Sequence, residues 1–307
     1  MRSSSARRWS ATRRNSARFA LELPFVARLA AHGQFVLAVF SRLQLARRSL
    51  EARLPGSRLR IRAIVVVLAL WTRAATARQV PVPRLVLVVA GQRRALRIQD
   101  ETEFFGAYEV FATSDYAINL DHPVRRVLDL GANVGFASML LAERYPDAEI
   151  VALEPAPDTF ATMVRNVASF GAVRPMQVAV GTDGPVFLDL NVPSVERHAS
   201  RSGVEVRGIS LTTLLDDLGW QEVDLMKIDA EGAEFQVFSD PAMSRVRAIV
   251  GEIHTEEAPA GYVGAAQILP SYIVDTNPAV SSSATMFRAV RRSREPRDSD
   301  RPRAGGS

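Results

Sequence analysis

The sequence predicts an α/β fold, a mostly parallel sheet with helices on both faces, and three observations carry that expectation. From Val124 onward, short apolar runs alternate regularly with helix-like segments, the pattern of a parallel sheet covered on both sides. A strand ending in Asp129 runs straight into the glycine-rich turn Gly131-Ala132-Asn133-Val134-Gly135, and a helix follows. The next strand ends in Glu154, 25 residues after Asp129. At the carboxyl edge of a parallel sheet, such a turn and such an acid line a nucleoside crevice.

The elements follow in chain order. Residues 1–80 form an arginine-rich extension, expected to be partly disordered and partly amphipathic helix, with Phe25, Leu29, Phe35, Phe40 and Leu43 interleaved with arginine. Such a segment can rest on an anionic membrane surface, so peripheral membrane contact through it is one expectation, and a solvated arm is the other. The run IVVVLALW at 64–71 is far shorter than the ~20 residues a spanning helix needs, and the chain is expected to be cytoplasmic. Residues 85–98 read as two strands around Gly91-Gln92, a hairpin. Residues 101–112 read as a helix with Phe104, Phe105, Tyr108 and Phe111 on one face.

Within the alternating region, strands are expected at 127–130, 150–153, 175–180, 225–229 and 248–253, with helices at 136–144 and 157–170. The second helix has Pro157 at its start, Gly171 past its end, and Phe160, Met163, Val164 and Val167 at helical spacing. Segments 272–275 and 285–290 are expected to add an edge hairpin. Loops 191–208 and 255–264 carry no readable motif. The main domain is placed at 81–292, with a disordered tail at 293–307.

Composition narrows the chemistry. The chain has no cysteine, which removes disulfides, thiolate metal sites and thiolate catalysis. Its net charge of +5 conceals segregation: residues 1–100 carry 20 arginines against 3 acids, whereas residues 101–287 carry 11 basic groups against 27 acids. The fold is therefore an acidic body with a basic arm. Of 38 basic residues only Lys227 is lysine, and it sits inside an otherwise apolar strand, where it needs a partner. Asp229, two residues on along the same strand face, is the expected one.

Asp229, Glu231 and Glu234 gather at the end of that strand in the segment KIDAEGAE. Acids there can cap a helix or build a site. Glu234 fits both equally, and Asp229 and Glu231 fit the site better. His254 ends the fifth strand in GEIH and has an ordinary pKa suited to proton transfer. An Asp229–Glu231 metal site is conceivable but shows no third ligand, and no metal is expected. An acid leading the glycine turn repels a pyrophosphate and suits a cationic ligand, so the crevice favours S-adenosylmethionine (SAM) over NAD.

The segments DLGANVG, LEP, KIDAEGAE and GEIH together resemble the FkbM-type SAM-dependent methyltransferases, over roughly residues 85–290. The resemblance implies a Rossmann-like class I methyltransferase fold with a mostly parallel seven-stranded sheet. It implies O-methylation of a hydroxyl on a sugar, polyketide or other secondary metabolite, with SAM as cofactor. Asp129, Gly131, Asn133 and Gly135 would line the methionine end, Glu154 the ribose, and Asp183 the adenine amino group unless it serves its own turn. His254, Asp229 and Glu231 would be the catalytic candidates. The acceptor is a small molecule or glycan, and nucleic acid is not expected. Two other classes compete: an NAD-dependent oxidoreductase, and a binding protein acting on membrane or nucleic acid through the arm.

Overall fold

The computed structural model describes residues 84–98, 103, 106–107, 109–113, 116, 118–190, 199–200, 202–255, 258–278 and 284–292. The expectations for the arm at 1–80, its apolar run at 64–71 and the tail at 293–307 lie outside those residues. Among the described residues, no helix is long and apolar enough to cross a membrane.

β1 (Leu85–Val89) and β2 (Gln92–Leu96) form the expected antiparallel hairpin. Its turn is Ala90-Gly91, both with positive φ, as two-residue hairpin loops require. Alanine is an unfavourable choice there, and the Glu143 carboxylate compensates by accepting the Ala90 N–H at 2.8 Å. The segment expected as one helix at 101–112 is helical at residues 103, 106 and 107 and then widens into a π-helical turn, Glu109–Thr113.

The central sheet has seven strands. β3 (Arg126–Leu130), β4 (Glu149–Leu153), β5 (Val173–Met176), β10 (Leu225–Ile228) and β11 (Ala248–His254) run parallel. β13 (Ala284–Arg291) is antiparallel to both β11 and β12 (Tyr272–Pro278), giving the order β12-β13-β11-β10-β3-β4-β5. The chain moves outward from β3 through β4 and β5, then returns to lay β10 on the other side of β3. That reversal is a topological switch point, where open α/β sheets bind ligands beyond their strand ends. The architecture is the Rossmann-like, mostly parallel seven-stranded sheet with helices on both faces.

Strand alternation divides the interior into two cores. Val127, Ile150, Leu225 and Val250 face α1 (Phe136–Arg144), α2 (Pro157–Val167) and the β1–β2 hairpin. Leu128, Val151, Met226 and Ile249 face α3 (Leu211–Asp217), α4 (Glu234–Ser239) and the short α5 (Ala265–Ile268). Helix α1 matches its expected bounds. Helix α2 ends at Val167 rather than 170, and Val164 of its expected apolar stripe is exposed.

The single strand expected at 175–180 is two. β5 stops at Met176, and β6 (Ala179–Val180) pairs with β9 (Val204–Ile209) in a second sheet, order β6-β9-β7-β8, completed by β7 (Gly184–Leu188) and β8 (Ala199–Ser200). The tract at 191–208, expected to be loop throughout, thus contributes β8 and most of β9.

Candidate active site

The sheet's carboxyl edge at the switch point gathers most of the residues singled out in the sequence. Asp129 of β3 and Lys227 of β10 are direct partners in the parallel register, both on the face of the first core, and both are buried. Lys227 Nζ lies 3.3 Å from Asp129 and 3.8 Å from Asp229, so its nearer partner is Asp129 rather than the expected Asp229. Nζ also donates to the Gly131 carbonyl at 2.6 Å. Burial alone lowers an ammonium's pKa, but the Asp129 and Asp229 charges outweigh it and raise that of Lys227 above its ordinary value. The other Asp129 oxygen, Oδ2, accepts a hydrogen bond from Ser138 Oγ at 2.5 Å, fastening the strand to α1.

The turn after β3 is pressed against the turn after β10. A Cβ on Gly131 would lie 1.8 Å from the Asp229 backbone oxygen, and φ there is +73°, so only glycine fits. Gly135 meets the α2 side chains of Met163 and Val167 in the same way. The turn's amides are already engaged. Ala132 N–H donates to the Leu153 carbonyl, Gly135 N–H to the Ala132 carbonyl, and Asn133 N–H to Glu154 Oε2 at 3.0 Å. The other Glu154 oxygen accepts from Ala156 N–H at 2.9 Å. Asn133 Oδ1, by contrast, is a buried acceptor with no hydrogen-bond donor among the described residues.

Beyond β10 and β11 lies a crowded acidic group. Asp229 Oδ2 accepts from Tyr116 O–H at 3.0 Å, and the Tyr116 ring lies under Lys227 Nζ, 5.4 Å from its centroid. His254 Nε2 sits 3.3 Å from Glu231 and 3.9 Å from Asp229, and its Nδ1 sits 3.0 Å from the wholly buried Glu234. Glu231 adopts the left-handed region, φ +45°, a strained placement for a non-glycine residue of the kind found at functional sites. Glu252 lies on the same strand face as His254.

Burial, then the nearby Asp229 charge, pushes Glu231 and Glu252 each up to about 8. Burial works the other way on His254, but Glu234, Asp229 and Glu231 overcome it and raise the imidazole to about 9. Burial and Asp229 also raise Tyr116 well above its ordinary range. Each of Glu231, Glu252 and His254 therefore binds its proton more tightly folded than unfolded. Their stabilisation is complete below the unfolded values, near 4.5 for the acids and 6.5 for the imidazole. It is lost as pH rises through about 8 and about 9. Thermal unfolding of the full chain is expected to show a lower midpoint at pH 9 than at pH 6; an unchanged or higher midpoint at pH 9 would contradict this charge crowding.

Asp229, Glu231 and His254 each offer one ligand atom, all within 4.8 Å of one another. The third donor that the sequence did not reveal is thus His254, and the trio has the oxygen and nitrogen donors to accept a small cation. Asp183 stands apart from the cluster. Its carboxylate accepts from Ser210 N–H at 3.0 Å and Thr213 Oγ1 at 2.9 Å, tying the turn after β6 to the start of α3. The adenine contact expected of it finds no support in that placement.

Three participants were not read from the sequence: Tyr116, Ser138 and Glu252. Glu252 had a signal, since it lies within GEIH two residues from His254 on the same strand face. Ser138 also had one, lying nine residues after Asp129 on the first turn of the helix that the turn begins. Tyr116 had none.

Residues 129–280 match the methyltransferase FkbM domain. Methyltransferase sdnD of Sordaria araneosa is 27% identical over 150 residues, covering 36% of this chain and 58% of that protein. Methyltransferase 1 of Beauveria bassiana is 27% identical over 139 residues, covering 36% of this chain and 56% of that protein. The chain thus spans little more than half the length of these relatives. Among solved structures, precorrin-6y C5,15-methyltransferase of Geobacter metallireducens is 15% identical, with 64% of this chain and 94% of that one covered at a TM-score of 0.38, a likeness too slight to carry an argument. The matched span runs from the first residue of the glycine-turn motif through both acidic strand ends, and residues 129–280 of the chain are a methyltransferase FkbM domain.

Proposed function

We propose that the chain is a SAM-dependent methyltransferase that methylates a hydroxyl on a sugar, polyketide or other secondary metabolite. The observation that carries the cofactor reading is the state of the glycine turn. A dinucleotide needs free backbone N–H groups there to hold its pyrophosphate, yet those of Ala132, Asn133 and Gly135 are engaged within the protein. What the turn region offers instead is acceptors: the orphaned Asn133 Oδ1, and the Glu154 carboxylate, each of whose oxygens keeps a further lone pair beyond the backbone N–H it accepts. Acceptors suit an ammonium and a sulfonium, which disfavours the oxidoreductase alternative.

Asn133 with Gly131 and Gly135 would hold the methionine end, and Glu154 the ribose hydroxyls. Asp129 acts at one remove, because Lys227 neutralises it; the further negative charge comes from Asp229, which Glu231 and Glu252 join only as pH rises through about 8. When bound, SAM supplies a methyl group on a sulfonium centre. His254 is the candidate base for the acceptor hydroxyl, worth about 10²–10⁴ in rate. Its imidazole is held protonated while the carboxylates around it lack another cation, and a positive charge placed among them returns it to the neutral form that accepts a proton.

Calorimetry on the full chain tests this reading without knowledge of the acceptor. SAM and its product S-adenosylhomocysteine are expected to bind saturably. Glu154→Gln is expected to weaken both on the order of 10- to 100-fold, the scale of hydrogen bonds to a charged acceptor. Tight NADH uptake with indifference to S-adenosylhomocysteine would overturn it.

A further inference from the structure

The side chain that the site above leaves without a chemical role is Glu234, the last acid of KIDAEGAE. It is fully buried, and a carboxylate is not placed there to cap its helix alone. Its Oε1 accepts from Ala230 N–H and its Oε2 from Gly232 N–H, both at 2.9 Å. Oε1 is also 3.0 Å from His254 Nδ1. The carboxylate is thereby locked from both sides by the loop that carries Glu231, and the second lone pair of Oε1 faces the imidazole. Both oxygens already act as acceptors of backbone N–H groups, so the side of Oε1 turned to the ring presents a lone pair, and the facing nitrogen carries the hydrogen. The hydrogen bond on one ring nitrogen decides what the other can do.

We propose that Glu234 is a positioning residue that holds His254 in its Nδ1–H tautomer, leaving Nε2 as the lone-pair nitrogen presented beside Asp229 and Glu231 to take the acceptor's proton. The same arrangement links the ring's orientation to the loop at 230–232, so the base and Glu231 move as one unit. The tautomer follows from the hydrogen-bond geometry; only the use made of Nε2 rests on the methyltransferase reading. A ring held the other way would turn a protonated Nε2 to the acceptor and could not act as a base.

The chain has four histidines, so the tautomer can be read directly. Full-length protein labelled with ¹⁵N-histidine is examined by long-range ¹H–¹⁵N spectra between pH 7 and 11 in EDTA, with His254 identified by the signals lost in His254→Asn. The neutral wild-type ring is expected to be the Nδ1–H form. Glu234→Gln, whose amide can turn either end toward the ring, is expected to reduce that form several-fold while S-adenosylhomocysteine binding changes by less than about threefold. A purely structural role for Glu234 would leave the tautomer of the Gln variant unchanged, and that result overturns the proposal. So does an Nε2–H wild-type ring, a measurement that stands even if the variant fails to fold. Failure of the wild type to bind S-adenosylhomocysteine would overturn the cofactor reading and leave the tautomer result intact.

Discussion

Replacing Asp129 with alanine is expected to destabilise the protein by about 3–5 kcal/mol, the cost of removing one member of a buried ion pair. The reason lies in what remains. Lys227 Nζ, almost wholly buried, would keep the Leu130 and Gly131 carbonyls and a more distant Asp229, too little to replace a carboxylate at 3.3 Å. Ser138 Oγ would lose its acceptor as well. Urea denaturation of the full chain measures the loss. The double variant Asp129→Ala/Lys227→Met should recover much of it, because the stranded charge is gone. If the single variant unfolds at the wild-type midpoint, the pair is not the structural unit described here.

The second large effect is expected at Gly131. An alanine there would drive its Cβ to 1.8 Å from the Asp229 backbone oxygen, in a backbone conformation with φ +73°. The left-handed conformation costs alanine about 1–2 kcal/mol, and forcing the contact apart adds roughly 1–3 kcal/mol. Together these approach the total margin of a marginal domain, about 5–15 kcal/mol. Any relief must separate the turns after β3 and β10, so cofactor binding should fall along with stability. Gly171→Ala, where a Cβ meets nothing within 4 Å, is the control and should lie within about 0.5 kcal/mol of wild type. Equal denaturation curves for the two variants would remove the close approach from the account.

The parts of this fold that were legible in the sequence share one property: their signal is local. The turn from Asp129 to Gly135, the helix beginning at Phe136 and the acids of KIDAEGAE are each specified by neighbouring residues, and the structure sets them at one sheet edge. The pairing of Lys227 with Asp129 was not legible, because it depends on the register of two strands almost a hundred residues apart. The break between β5 and β6 escaped notice because RPMQVAV reads as a single extended run; only the pairing of Ala179 and Val180 with β9 separates them. β7 buries only Leu188 fully, so it lacks the apolar alternation that marks a half-buried strand; β9 does alternate, from Val204 to Arg207, but over too few residues to stand out from the tract before it. Tyr116 is a turn residue, where periodicity has nothing to report, and its role appears only once the chain brings it to Asp229 from 113 positions away.

The interposition of β13 between β11 and β12 bears on how this protein is made. A nascent chain emerging from the ribosome can add β4, β5, β10 and β11 to β3 in turn, since each of them pairs with a strand already synthesised. The outer ladder of β11, the strand that carries Glu252 and His254, stays open until the final strand arrives, and β12 must wait unpaired meanwhile. An open ladder is a template for association with other chains. Slow translation over residues 272–291 would therefore lengthen the window in which these molecules aggregate, while leaving the finished protein unchanged.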